Sequence, residues 1–209
     1  MAASGRPRRD LLVRLALEGP EPRVDVGADH GIVAEALGAI ATERQKIRGR
    51  PRGLRWVVAD GLSCFGPLGT AVIAGMGART IARILAEGPS IARVVLHAQD
   101  DPPLLRALLA ADGWHIIDEA LAREAGRFAE VVVAERGTET ASGLELAYGP
   151  VLLGSTDPLL VAHLEQLTGH LRRLAKVSEP SPEVHRRHVA HLAFVEARLA
   201  DARKRAAST

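Results

Sequence analysis

Three acidic residues stand at or near the ends of three short apolar runs, and their chemistry depends on where those runs place them. Asp25 lies in Val24-Asp-Val-Gly-Ala-Asp-His-Gly31, Glu43 closes Ala39-Ile-Ala-Thr-Glu43, and Asp60 closes Arg55-Trp-Val-Val-Ala-Asp60. A single acid at a strand end is most often a surface cap. Three on one carboxyl edge signal a ligand site, because open α/β sheets bind ligands there. The first loop has two glycines, Gly27 and Gly31, and not the three of GxGxxG. Its two acids, Asp25 and Asp29, would repel a pyrophosphate, which disfavours a dinucleotide. An acidic loop suits instead the sulfonium and amino group of S-adenosylmethionine. On this reading Glu43 accepts hydrogen bonds from a ribose diol and Asp60 meets the adenine amino group. A fourth run ends in Ile73-Ala-Gly-Met-Gly77, whose glycines bring the backbone up to the reacting centre.

The elements that must position these residues are legible as β-branched runs alternating with connections, the pattern of an α/β sheet. Strands are expected at 23–27, 39–43, 55–60, 71–74 and 93–97, nearly continuous in apolar character and so buried on both faces, as parallel strands are. Helices are expected over 78–87 and 102–112, the second capped by Asp100 or Asp101 and ended at Gly113. Trp114 to Arg123 and Arg127 to Glu135, split by Glu124-Ala-Gly126, read as an antiparallel hairpin closing the sheet. After Tyr148-Gly-Pro150 the chain turns helical, and Leu160, Leu164, Leu167, Leu171 and Leu174 repeat at spacings of four and three, a coiled-coil seam. Ser178-Glu-Pro-Ser-Pro182 breaks that helix, with Ser181 as cap of a second one carrying Leu192, Val195 and Leu199. The expected division is a catalytic α/β domain over 1–150 and a helical hairpin over 151–209.

Composition narrows the function further. With 209 residues, 47% hydrophobic and 25% charged, the chain is globular in type. Aromatic residues make up 3%, which disfavours recognition by stacking rings. One cysteine excludes a disulfide framework, and no apolar run approaches a membrane span, so a soluble, cytoplasmic protein is expected. The net charge of +2 conceals two basic clusters. Arg44, Lys46, Arg48, Arg50, Arg52 and Arg55 occur without an acid among them, and residues 172–205 hold nine Lys/Arg against four acids. Such clustering is what a phosphate backbone requires, although a solvated loop and a charged helix face account for it equally. His185, His188 and His191 recur every third residue, but with no carboxylate at ligand spacing they read as part of a basic helix and no metal is expected. Cys64, without an evident His partner, reads as a packed thiol.

The motifs Val24-Asp-Val-Gly-Ala-Asp-His-Gly31, Ala59-Asp-Gly-Leu62, Ile73-Ala-Gly-Met-Gly77, Ile116-Ile-Asp-Glu119, Glu130-Val-Val-Val-Ala-Glu135 and Tyr148-Gly-Pro-Val-Leu-Leu153 resemble, in order and context, the bacterial tRNA (adenine(22)-N1)-methyltransferase family, TrmK. The resemblance spans roughly residues 10 to 200. It implies a class I, Rossmann-like methyltransferase sheet with a C-terminal α-helical coiled-coil hairpin, S-adenosyl-L-methionine as donor, tRNA as acceptor and no obligate protein partner. It implies that Asp25, Gly27, Glu43, Asp60 and Gly61 hold the cofactor, that Asp29 and His30 lie near the target base, and that Gly75, Met76 and Gly77 line the reaction site. Arg44, Arg48, Arg52, Arg172, Arg173, Arg186 and Arg187 are the candidate RNA contacts.

Two departures from the family pattern bear on the site. His97-Ala-Gln99 stands where the family has Gln-Pro-Asn, and the segment from His30 to Asp60 is short for two parallel crossovers, so one or two covering helices are expected to be stunted or absent. A catalytically silent RNA-binding paralogue and a methyltransferase with another acceptor are the alternative readings.

Overall fold

The computed structural model describes residues 8–45 and 53–208. In chain order the elements are α1 (Arg8–Leu17), β1 (Arg23–Val26), α2 (Ile32–Leu37), β2 (Ile40–Glu43), β3 (Trp56–Val58), β4 (Leu68–Met76), α3 (Ala78–Ala86) and β5 (Ile91–Ala98). They continue as α4 (Pro102–Ala111), β6 (Trp114–Glu124), β7 (Arg127–Arg136), α5 (Gly143–Tyr148), α6 (Leu160–Ser178) and α7 (Pro182–Ala207). The strands form one seven-stranded sheet in the order β3-β2-β1-β4-β5-β7-β6. β1 to β5 are parallel, and the β6/β7 hairpin adds to β5 through antiparallel pairing of β7. The chain reverses its direction of travel across the sheet between β1 and β4, the switch point at which open sheets form a crevice.

Each expected strand forms, and β4 extends beyond the expected 71–74. The extension runs through Gly69, where a Cβ would collide with the backbone of Pro20 and Glu21. Only a glycine admits that approach, although glycine by itself argues against a strand interior. The first expected short crossover is present: α2 has six residues and is bracketed by Gly31 and Gly38 in left-handed conformation, whereas most of the second, residues 46–52 between β2 and β3, lies outside the described residues.

Cover for this face comes partly from α1, which the sequence reading missed. Its Leu11, Leu12, Leu15 and Ala16 are buried against Leu37, Val72, Val95, Val131 and Val133. Each such leucine contributes roughly 1.5–3 kcal/mol of transfer free energy. On α4, which Asp101 caps through Leu104 N–H, the fully buried Arg106 reaches Glu119 of β6 and Glu130 of β7, both at 2.7 Å. Burial opposes its charge, but the two carboxylates outweigh that and raise its pKa. Trp114 is likewise buried, beneath the guanidinium of Arg136 at 3.9 Å. Cys64, expected to be packed, is exposed on the turn after β3.

The compact units divide at Ser142, earlier than the expected boundary after Pro150. The reason is Tyr148 of α5, which hydrogen-bonds His191 at 2.8 Å and stacks on Phe194, both on α7. In this second unit α6 and α7 pair as a hairpin through a short break before Pro182. The buried residues of α6 are Leu160, His163, Leu164, Thr168, Leu171 and Ala175, while Leu167 and Leu174 are half-buried. The seam thus passes one residue to the side of two expected leucines. On α7 it takes Val195, Leu199 and Ala202. His185 donates from Nδ1 to the Ala175 carbonyl and His188 Nδ1 bonds Ser178 Oγ, so these histidines and His191 are engaged within the unit. No helix among the described residues is long and apolar enough to cross a membrane.

Arg106→Met should lower the unfolding free energy by about 3–5 kcal/mol, because it removes the guanidinium paired with the buried Glu119. Urea denaturation measures this, and a loss below about 1 kcal/mol would mean the two carboxylates find other partners.

Candidate cofactor and active site

The turn after β1 is built from left-handed residues. Gly27 (φ 70), Asp29 (φ 49) and Gly31 (φ 74) reverse the chain within five positions, and a non-glycine at such an angle is uncommon outside Asn and Asp. Gly27 and Ala28 donate their N–H groups to the Thr42 carbonyl at 3.0 and 3.1 Å, which ties the turn to β2. Asp25 sits below it, 5% exposed, accepting the Ala34 N–H at 3.1 Å and so anchoring the start of α2. Burial pushes its carboxyl up from 3.8 to about 7, opposed by the Ala34 hydrogen bond and reinforced by the Glu43 carboxylate.

At the carboxyl edge between β1, β2, β3 and β4 lies a cleft of about 370 Å³, within the range of small-molecule sites. Each strand contributes its terminal residues: Gly27 after β1, Thr42 and Glu43 from β2, Asp60 and Gly61 after β3, Gly75 and Met76 from β4. Gly75 (φ 74) is the extra residue of a β-bulge, where the β4/β5 register shifts between Ala74 and Met76. The bulge swings Met76 over Gly27, and a Cβ on Gly27 would strike its terminal methyl. Gly77 is kept small by Asp100, whose Oδ2 would lie 2.7 Å from a Cβ there. Asp100 accepts the N–H groups of Ala78 at 2.9 Å and Asp101 at 2.7 Å, and these hydrogen bonds hold its carboxyl below the usual range.

Of the residues expected at the cofactor and reaction site, Gly27, Glu43, Asp60, Gly61, Gly75, Met76 and Gly77 line this cleft, as does Arg44. Asp25 does not; it lies under the loop, a support for it. Asp29 and His30 stand outside the lining on the exposed loop, 3.7 Å apart with side chains 79% and 77% exposed. Arg48 and Arg52 lie outside the described residues. Arg172, Arg173, Arg186 and Arg187 are exposed on the second unit, and Arg172 is paired with Glu196 at 2.7 Å.

Seven lining residues were missed: Val26, Thr42 and Ala59, which neighbour expected ones, and Thr80, Arg83, Ile84 and Gln99. Thr80, Arg83 and Ile84 come from α3 at helical spacing, a stripe the sequence shows but that only the topology aims at the cleft. Gln99 forms the wall left open by the departure at His97-Ala-Gln99, its N–H bonded to the Met76 carbonyl at 3.0 Å. His97 itself is buried and absent from the lining, and burial lowers its imidazole pKa to about 4.

The donor set fits an adenosine-bearing sulfonium. Glu43 and Asp60 are acceptors for hydroxyl and amino groups, Thr42 has a buried Oγ1 with no hydrogen-bond partner at the cleft wall, and the glycines admit close approach. Residues 52–201 match the family model for TrmK, tRNA (adenine(22)-N(1))-methyltransferase. The chain belongs to the TrmK family. A candidate tRNA (m1A22) methyltransferase of Streptococcus pneumoniae superposes with a TM-score of 0.80 at 25% identity, covering 93% of this chain and 99% of that one. The same S. pneumoniae protein in complex with S-adenosyl-L-methionine gives 0.77 at 26% identity, over 93% and 99% of the two chains. A candidate tRNA methyltransferase of Mycoplasma pneumoniae is 26% identical over 185 residues, 78% of this chain and 86% of that one. The TrmK fold, a Rossmann-like methyltransferase sheet, is therefore that of this chain.

In this TrmK chain the folded state keeps the Asp25 proton up to about pH 7, whereas an unfolded Asp releases it near 3.8. The stability tied to that proton is therefore lost as pH rises from about 4 to about 7. Asp25→Asn, which cannot ionise, should gain on the wild type over that interval by on the order of 2–4 kcal/mol. Parallel stability-versus-pH curves for the two proteins would contradict the burial of an ionisable group there.

Proposed function

We propose that this TrmK member methylates N1 of adenine 22 in tRNA, with S-adenosyl-L-methionine as donor. The observation that carries the reading is the family match over residues 52–201 together with an acid- and glycine-lined cleft at the sheet's switch point. When bound, the cofactor supplies a sulfonium methyl group that passes to the N1 lone pair, leaving a neutral thioether and a cationic purine. Glu43 accepts from the ribose hydroxyls and Asp60 from the cofactor's adenine amine. Gly75, Met76 and Gly77 flank the reacting centre at the β4 bulge. Asp29, on the exposed rim of the β1 loop, orients the target base by its exocyclic amine and stabilises the developing ring charge, with His30 beside it. Asp25 acts through the loop that it anchors. N1 lies on the pairing edge, so the target adenine is unstacked before it reacts.

Arg173, Arg186 and Arg187, exposed and without carboxylate partners among the described residues, hold tRNA phosphates, with Arg172, Arg48 and Arg52 as further candidates. The protein acts in the cytoplasm, where its tRNA substrate resides, without an obligate protein partner.

Unmodified tRNA incubated with the protein and S-adenosyl-L-methionine should give reverse-transcription arrest at adenine 22, since an N1 methyl blocks the pairing edge. Cofactor binding with methylation at another nucleotide would reject the acceptor, and no methyl transfer with no cofactor binding would reject the enzyme reading altogether.

A further inference from the structure

Two elements converge on one oxygen of Asp60. Arg44 at the end of β2 places its Nε 3.5 Å from Asp60 Oδ1, and Arg83 of α3 places an Nη 3.6 Å from the same atom. Oδ1 is the oxygen that both guanidinium groups approach. Arg83 has a second partner on its own helix, Glu87 at 2.7 Å. Arg44, Asp60 and Arg83 all line the cleft. The arrangement is held from behind by Gly61, whose left-handed turn (φ 75) brings the chain so close to α3 that a Cβ there would lie 3.3 Å from Ile84.

We infer that Arg83 and Arg44 are positioning residues that hold Asp60 by Oδ1 and present Oδ2 to the exocyclic amine of the cofactor's adenine. The inference rests on the reading of the cleft as the cofactor site. A carboxylate at an exposed strand end turns freely about its side-chain bonds and shares both oxygens with water. Two guanidinium groups on one oxygen restrict that rotation and leave the other as the acceptor. A hydrogen bond to a fixed carboxylate discriminates strongly, because a ligand with a carbonyl in place of the amine sets oxygen against oxygen. The two ion pairs are substantially exposed, with side-chain exposures of 76%, 51% and 45% for Arg44, Asp60 and Arg83, so they add little to folding stability. Their consequence lies in ligand choice. Arg44, a candidate RNA contact by charge, is thereby assigned to the cofactor.

The test compares calorimetric affinities for S-adenosyl-L-homocysteine and its deaminated analogue, S-inosyl-L-homocysteine, which carries a carbonyl where the amine was. The wild type should favour the adenine form by about tenfold or more. Arg83→Gln should lose most of that preference through weaker binding of the adenine form, with affinity for the inosine form and the melting temperature unchanged. Arg44→Gln should act in the same direction, Arg83→Lys should restore part of the preference, and Glu87→Gln, which removes only the competing partner, should retain it. If Asp60→Ala abolishes the preference and Arg83→Gln and Arg44→Gln do not, Asp60 reads the amine unaided and the positioning role is overturned. Equal binding of both ligands by the wild type overturns it as well while leaving the cofactor site in place, whereas binding of neither removes the cofactor reading itself.

Discussion

The constraint on which this structure turns is the need for left-handed backbone where parallel strands end. Gly27, Gly61 and Gly75 take φ values of 70, 75 and 74 at the carboxyl ends of β1, β3 and β4. A side chain at such angles is strained, and at Gly27 it would also fill the space that Met76 occupies. These bends turn each strand out of the sheet while leaving its last peptide groups facing a common cleft. The acids that follow or precede the bends then reach the cleft as a consequence of strand length alone.

Charge is balanced within that cleft in a way that sequence spacing does not reveal. Asp25 is set beneath it and largely deprived of solvent, which raises its carboxyl to about 7. Glu43 and Asp60 line the cleft, and Arg44 and Arg83 both meet Asp60 at Oδ1. A ligand with amino, hydroxyl and sulfonium groups therefore encounters acceptors arranged along its length, with one of them oriented by cations.

Most of the sheet was legible because most strands carry two or more of Val, Ile or Leu close to a Gly, Pro or Asp, and the β6/β7 hairpin announces itself through Ala125-Gly126. The cleft was legible to the same depth, since the acids and glycines at strand ends carry it. What was not legible came from packing. α1 was hidden by the arginines around Leu11, Leu12 and Leu15, whose stripe becomes meaningful only once a short α2 leaves the sheet face needing cover. The seam of α6 passes through Thr168 and Ala175, small residues beside which Leu167 and Leu174 look the better candidates. Arg83 and Thr80 belong to the site through the rotation of α3, which no motif records. The place of Asp25 was hidden for the opposite reason: its motif marks the loop, and its burial below that loop is visible only in three dimensions.

Whether the bend at Gly27 keeps the cleft open for the cofactor is tested most directly by titrating S-adenosyl-L-methionine into the wild type and Gly27→Ala with heat as the readout. The wild type should bind one equivalent, and the variant, with its fold verified by circular dichroism, should bind about tenfold more weakly or worse, because its methyl group and the displaced Met76 intrude on the cleft. Equal affinity in the two proteins would contradict the account.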